Sequence, residues 1–292
     1  MSNALLHEKH VIRPGQRVAV KDIAPDDTDP YQHKEEAGEL LESDREQLVS
    51  LQELLYAEGK HALLVVLQGM DTSGKDGTIR HVLGGVNPQG CTVAPFKVPT
   101  SEELAHDYLW RVHKVVPPKR MIGIFNRSHY EEVLVVRVHR EYLDRQKLPR
   151  KLVTGRIWKE RFEDIAAFER YAGRNGIVIR KFFLNVSKRE QKKRFLERLD
   201  HPEKYWKFSA ADCHERQYWA QYMNAYEEMI RHTATSQAPW YVVPADHKWY
   251  LRLAVAAVVV ETLRSLNLQF PQADAAKRRE LAAARAALMR SK

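Results

Sequence analysis

The chain carries 2 cysteines in 292 residues, Cys91 and Cys213, far apart and outside any C-x-x-C. A disulfide framework and a thiolate metal site are thereby excluded, and a reducing compartment is the default. No apolar run approaches the roughly 18 residues that a membrane-crossing helix needs. The longest, residues 253–260, is less than half of that. The opening MSNALLHEKHVIRPG has no apolar core followed by a cleavage site. A soluble, cytoplasmic protein is expected, without a membrane partner. None of the 13 histidines falls in HExxH or a comparable ligand pair. There is no NKxD, so a guanine-reading switch is disfavoured. Nucleic acid is disfavoured too, because no binding module and no basic stretch with interleaved aromatics is present. Internal repeats are absent.

Acid is the minority charge: 38 Asp and Glu stand against 47 Lys and Arg, a formal +9. That balance favours polyanionic partners, phosphate-rich substrates among them. A hydrophobic content of 44% suffices for a large core.

The organising stretch is HALLVVLQGMDTSGKDGTIR, residues 61–80. An apolar run, 62–67, is short enough for one buried strand. A Gly-bounded loop, 69–74, follows; then come Lys75 and a helix-compatible segment. Strand, loop and helix N-terminus in this order make a phosphate cradle, with the G-x-x-x-x-G-K spacing met. Gly69, Thr72, Ser73, Gly74, Lys75, Asp76 and Gly77, with Arg80 beyond them, are the candidate phosphate contacts. The hydroxyl that usually follows the lysine is missing, because Asp76 stands there. Asp71 inside the loop is the substitute oxygen donor for Mg²⁺.

Along the chain, residues 1–33 are polar and Pro-containing and read as an N-terminal arm. Residues 34–58 read as a helix, with Leu41, Leu48, Leu51 and Leu55 on one stripe and Gly59 as its stop. Further strands are expected at 91–96, 121–125, 177–186 and 240–243. Helices are expected at 101–114, 154–173, from 187 to about Pro202, 209–232 and 247–266. Residues 132–139, EVLVVRVH, fit strand and helix equally. Strands alternating with helices indicate an α/β fold with a parallel sheet covered on both faces. Ligands in such sheets sit beyond the carboxyl ends of the strands, the rim that Lys75, Lys97, Asn126 and Arg127 share.

Asn126 stands where P-loop enzymes often carry a metal-holding Asp. The metal is therefore assigned to Asp71 with Glu131. Arg127 suits bidentate phosphate recognition. Between 187 and 207, eight cations face four acids, a balance of +4. Small kinases carry a mobile lid at this place, and Arg194 and Arg198 lie one turn apart. A solvated helix face is the competing reading. Trp219, Tyr222, Met223, Tyr226 and Ile230 read as core packing. Asp107, Trp110 and Arg111 fit a packed cluster and an acceptor-ordering group equally.

GMDTSGKDG, FKVPTSEELAHDYLWRVHK, IGIFNRSHYEEVLVVRVH, KFFLNVSKREQKKRFLERLDHPEKYWKFSAAD and APWYVVPADHKWYLRL together resemble the polyphosphate kinase 2 family, over about residues 15–266. NRSHYEEVLVVRVH is similar to its class III subgroup. The resemblance implies a P-loop kinase fold like that of thymidylate kinase: a five-stranded parallel sheet between helices, with a helical lid at about 188–212. A kinase domain is expected over 34–268; the basic Ala/Arg-rich C-terminal helix or tail over 269–292 lies outside the resemblance. The resemblance also implies reversible, Mg²⁺-dependent transfer from inorganic polyphosphate to AMP and ADP, with guanine nucleotides left open, and a homodimer or homotetramer. Residues 69–77 would be the Walker A loop and 126–131 the Walker B region. Asp71, Lys75, Arg127 and Glu131 would carry catalysis. Arg80, Arg127, Arg137, Arg194, Arg198 and Lys207 would line a polyphosphate channel, and Lys97, Thr100, Asn126 and His129 would meet the acceptor. An ATP-dependent nucleoside monophosphate kinase and a non-enzymatic NTP- or nucleic-acid-binding module are the alternatives.

Overall fold

The computed structural model describes residues 4–291. In chain order the strands are β1 Val11–Ile12, β2 Ala62–Gln68, β3 Cys91–Pro95, β4 Ile122–Asn126, β5 Ile177–Asn185 and β6 Trp240–Pro244. The helices are α1 Ala4–His10, α2 Lys34–Glu58, α3 Lys75–Val82, α4 Ser101–Ala105, α5 Trp110–His113, α6 Val135–Val138 and α7 Glu141–Asp144. They continue with α8 Ile157–Arg174, α9 Lys188–Leu199, α10 Ala210–Glu215, α11 Trp219–Thr233, α12 Lys248–Ser265 and α13 Ala275–Arg290.

One sheet has the order β1-β6-β5-β2-β4-β3. The pairs among β2 to β6 are all parallel, as the strand–helix alternation predicts. The expected five strands gain a sixth: β1 pairs antiparallel with β6, Val11 opposite Tyr241. Two residues are too few for a strand period to show in sequence. The segment before α2 lies against the domain, with Leu6 fully buried and His10 Nε2 at 2.9 Å from Tyr250 Oη.

β2 is buried along its whole length, as a central strand with both faces covered must be. α2 ends where Gly59 takes φ +73° and returns its N–H to Leu55 O, a left-handed cap that suits glycine. α12 is apolar on nearly every face and is buried accordingly, against α2 and the sheet. β5 holds two adjacent cations, Arg180 and Lys181, which point to opposite faces by the two-residue period. Arg180 Nε donates to Thr262 Oγ1 of α12 at 2.9 Å, while Lys181 Nζ meets Glu169 Oε2 of α8 at 2.5 Å.

EVLVVRVH is helical: a 3₁₀ turn over His129–Val133 runs into α6. The helix expected at 101–114 is divided, because Asp107 Oδ1 accepts from Leu109 N and opens a turn. The helix expected at 209–232 is likewise broken into α10, a short 3₁₀ turn and α11. Between β5 and α11 therefore lie α9, a 3₁₀ turn over Pro202–Lys207, and α10. No helix among the described residues is long and apolar enough to cross a membrane.

Candidate active site

β2 delivers the chain to Gly69 at the carboxyl edge of the sheet. Gly69 has φ +156°, and a Cβ there would meet Ser73 Oγ at 2.7 Å and Leu184 O at 2.9 Å. Only glycine fits this turn. Gly74 takes φ +107° and opens α3, whose N-terminus carries no side-chain cap. The first amides of α3 are thus left for an anion. Thr72 is held at φ +61°, an unusual conformation for a β-branched residue and a mark of local strain.

Lys75 is buried, and its Nζ donates to Gly69 O at 2.7 Å and Met70 O at 3.2 Å. Burial first, and then the Arg127 charge, pull its ammonium down to about 8, against Asp71, Glu131 and Asp76.

The two departures from a general P-loop pattern answer one another. Asn126, at the end of β4, donates from Nδ2 to Asp76 Oδ1 at 2.6 Å. The carboxylate that replaces the usual hydroxyl is thereby tied to the amide that replaces the usual acid. Both engage across the loop mouth, which joins the ends of β2 and β4.

Arg127 follows, at φ +62°. Its guanidinium lies between two carboxylates, Asp71 through Nη2 and Glu131 through Nη1 at 3.2 Å. Glu131 above all, and Asp71 after it, hold this guanidinium firmly protonated against its burial. The loop, the end of β4 and the 129–133 turn are thus joined through one cation. Beneath the turn, Tyr130 Oη donates to Glu169 Oε1 at 2.7 Å and receives from Lys181 Nζ at 3.0 Å.

Asp71, Lys75, Asp76, Asn126, Arg127 and Glu131 are thus brought together. Arg80 is exposed on α3. Lys97 is exposed, and its carbonyl takes Arg111 Nη1 at 3.0 Å. Thr100 Oγ1 accepts from Glu103 N in a capping box, so it orders α4. A groove of 420 Å³ beside this loop is lined by Phe96, Glu103, Arg111 and Lys114, among others.

Three expected contacts, His129, Arg137 and Arg194, stand differently. His129 is 4% exposed, below the rim, with Nε2 at 3.5 Å from Glu169 Oε1, so it presents no nitrogen to an acceptor. Arg137 pairs with Glu228 and lies over Phe162, facing α11 and α8 rather than the loop. Arg194 is 4% exposed and directs its guanidinium at backbone carbonyls, so it is not a channel side chain. Lys207 closes the 3₁₀ turn that follows α9, and its side chain lies outside the described residues. Arg198 is half-buried over the Phe195 ring.

Other groups lie near the site that the sequence reading did not assign to it; Tyr226, read there as core packing, is among them and is buried in the core. Lys248 and Arg252, in the first turns of α12, share a field with Arg194, and Arg252 also with Arg80. Their place just after β6, on the ligand-bearing rim, was the available signal. Asp212 of α10 has its pKa raised by burial and by Asp71. Tyr226 of α11 is raised by burial and then by Glu131. Neither carries a local signal, because the folding of α10 and α11 over the loop alone brings them near.

A profile of the family described as polyphosphate kinase 2 matches residues 31–271. The chain belongs to the polyphosphate kinase 2 family. An "ADP-polyphosphate phosphotransferase" of Rhodopseudomonas palustris is 50% identical over 268 residues, 91% of this chain and 93% of the relative. An "AMP/ADP-polyphosphate phosphotransferase" of Meiothermus ruber is 50% identical over 270 residues, 92% and 97% of the two chains. The crystal structure of polyphosphate kinase 2 from Arthrobacter aurescens TC1 is similar in fold, with a TM-score of 0.85 at 40% identity and 97% of each chain covered. The polyphosphate kinase 2 fold therefore extends over the loop, the Arg127 clamp and the α9–α10 segment alike. The protein is a transferase.

Proposed function

We propose that this enzyme transfers a phosphoryl group from inorganic polyphosphate to AMP and to ADP. The observation that carries the reading is the Arg127 clamp, with Asp71 and Glu131, set against a phosphate loop in a polyphosphate kinase 2 chain. A phosphate oxygen of the acceptor, already anionic near neutral pH, attacks the terminal phosphorus of the donor in line. The bridging P–O bond breaks, and the shortened polyphosphate leaves as an anion. AMP becomes ADP, and ADP becomes ATP, each at the cost of one donor unit. Positioning and charge stabilisation suffice, without a strong general base.

Loop amides and Lys75 hold the donor's terminal phosphates, and Arg127 faces the charge that develops on transfer. Arg80 and Arg198, joined by Lys248 and Arg252, extend the cationic path for the rest of the donor chain. Lys97 and the loop capped by Thr100 lie on the acceptor side. The donor set fits Mg²⁺, which takes one or two carboxylates and completes its shell with phosphate oxygens and water. Asp71 and Glu131 would hold it. When bound, Mg²⁺ neutralises neighbouring phosphoryl oxygens. The domain is taken as 34–268 with the lid at 188–212, and the enzyme as a cytoplasmic homodimer or homotetramer.

The test is AMP or ADP with polyphosphate and Mg²⁺, no ATP added, and chromatography of the nucleotides. ADP and then ATP are expected from AMP in one vessel. No product from either acceptor would refute the polyphosphate reading. ADP use with inert AMP would restrict the enzyme to the diphosphate.

Lys75 adds a pH signature. Its ammonium is cationic below about 8 and loses its proton as pH rises through that value. The kcat/KM for polyphosphate is expected to be level at lower pH and then to fall, with a limiting slope of about one decade per unit. Lys75→Arg should remove that limb, because a guanidinium keeps its proton there. The sign for stability is opposite. Between about 8 and 10.5 the unfolded chain holds the proton that the folded chain has lost, so this group makes stability rise with pH. An unbroken profile in the native enzyme would remove Lys75 from donor binding.

A further inference from the structure

The first helix of the lid segment faces the back of the phosphate loop. On its inner side Gln191 and Arg194 stand one turn apart, 1% and 4% exposed. Gln191 Nε2 donates to Asp71 O at 3.0 Å, and Arg194 Nη1 donates to Thr72 O at 2.8 Å. Arg194 Nη2 reaches Ala245 O at 2.7 Å and Asp246 O at 2.8 Å, while its Nε meets Glu190 Oε1 at 3.0 Å. One guanidinium thus ties α9, the loop and the end of β6 together. Gln191 Oε1 accepts from Arg216 Nη1 at 2.6 Å, so the 3₁₀ turn that follows α10, just past the lid segment, reaches the same amide.

The two carbonyls held from behind belong to the loop residues that matter most. Asp71 carries the carboxylate of the clamp, and Thr72 is the loop's one non-glycine residue at positive φ. A trans peptide carries its C=O and N–H on opposite sides. Drawing Asp71 O back towards α9 therefore turns the Thr72 amide away from it. Holding Thr72 O keeps the strained residue in its left-handed conformation, which persists only where the surroundings over-determine it.

We propose that Gln191 and Arg194 are positioning residues for phosphoryl transfer: they hold the backbone of residues 71 and 72, and they tie it to the first helix of the lid and to the turn that follows the lid. The arginine is here because one planar fork serves several carbonyls at once; it does not bind the donor. A lysine keeps the charge but presents a single ammonium, too compact to span them. The kinetic part rests on the phosphoryl-transfer reading above, whereas the structural part does not.

The experiment compares Arg194→Lys, Arg194→Ala and Gln191→Leu with the native enzyme in two assays. In the first, rates are measured with long and short polyphosphate at several salt concentrations. A brace predicts that Arg194→Lys lowers kcat by about tenfold or more, nearly as far as Arg194→Ala. Donor KM should then stay within about twofold, with the salt slope unchanged. Gln191→Leu, which removes no charge, should also lower kcat. A donor contact predicts the reverse: Arg194→Lys close to native, and Arg194→Ala with a raised donor KM and a salt slope flatter by about one unit. Arg198→Ala is the control for that second pattern.

The second assay is amide hydrogen exchange. Arg194→Lys and Gln191→Leu should exchange faster in residues 70–74 while β2 and β5 keep native protection. If Arg194→Ala does not fold, these two variants carry both assays. If the native enzyme makes no nucleotide from polyphosphate, the functional reading fails and exchange alone decides the brace. Native exchange in the loop of both variants overturns it, as does native kcat in Arg194→Lys.

Discussion

Asp71→Asn is expected to fold normally and to lose about a hundredfold or more in kcat. The reason is geometric. Asp71 sits in the loop itself, and its carboxylate is one of the two that grip Arg127. An asparagine keeps the volume but loses the charge, so Arg127 is left to Glu131 alone and is drawn away from the transferring phosphate. The same change removes one of the two carboxylates that fit Mg²⁺. Because Asp71 is about a quarter exposed, its loss leaves no buried group unpaired, and the fold should be spared. Far-UV circular dichroism and a melting curve check that point; initial rates with saturating polyphosphate and ADP check the other. A folded Asp71→Asn enzyme at near-native rate would place the chemistry elsewhere.

The second large effect is on stability. Lys181 and Glu169 are 0% and 1% exposed in their side chains, and their atoms are 2.5 Å apart. Lys181 also donates to Thr233 O at 2.8 Å, and Tyr130 Oη joins both members of the pair. Burial acts to raise the Glu169 pKa, but Lys181 and His129 together hold it below the ordinary carboxylate value. Removing one member leaves the other charge uncompensated in the core. Lys181→Met and Glu169→Leu, taken singly, are each expected to lower the unfolding free energy by about 3–5 kcal/mol. The double variant should recover part of that, since no lone charge remains. Recovery will be incomplete, because Tyr130 Oη and Thr233 O lose their partner. Urea unfolding of the three variants measures the pattern. Single variants within about 0.5 kcal/mol of native, where ordinary surface changes fall, would show that the pair contributes no stability. Tyr130 precedes Glu131, so activity should fall in the folded fraction as well.

Several of these elements were readable along the chain. The apolar run before the loop, the glycines at its two turns and Lys75 form one local pattern, because a phosphate loop is a strand-to-helix connection. Its geometry is set by neighbours in sequence. Leu48 and Leu55 on the core face of α2, and Gly59 as its stop, are equally local. The alternation of strands and helices dictated the parallel sheet. The breaks at Asp107 and before Trp219 were hidden, because single turns interrupt stretches whose composition suits a helix throughout.

The sequence by itself determined the fold class, the phosphate cradle and the family, because all three rest on residues in contiguous segments. Only the tertiary structure decided what the charged side chains do. Asp76 and Asn126 stand 50 positions apart and meet in one hydrogen bond. Arg127 draws together a loop acid and a turn acid that no spacing relates. Arg194, which belongs to a row of cations on a helix that looks solvated, proves to be buried behind the loop. A row of cations fixes only where charge stands along the chain. Which side of the helix meets carbonyls and which meets water depends on how α9 packs against the loop and the end of β6, and that packing comes from contacts between segments far apart in the chain.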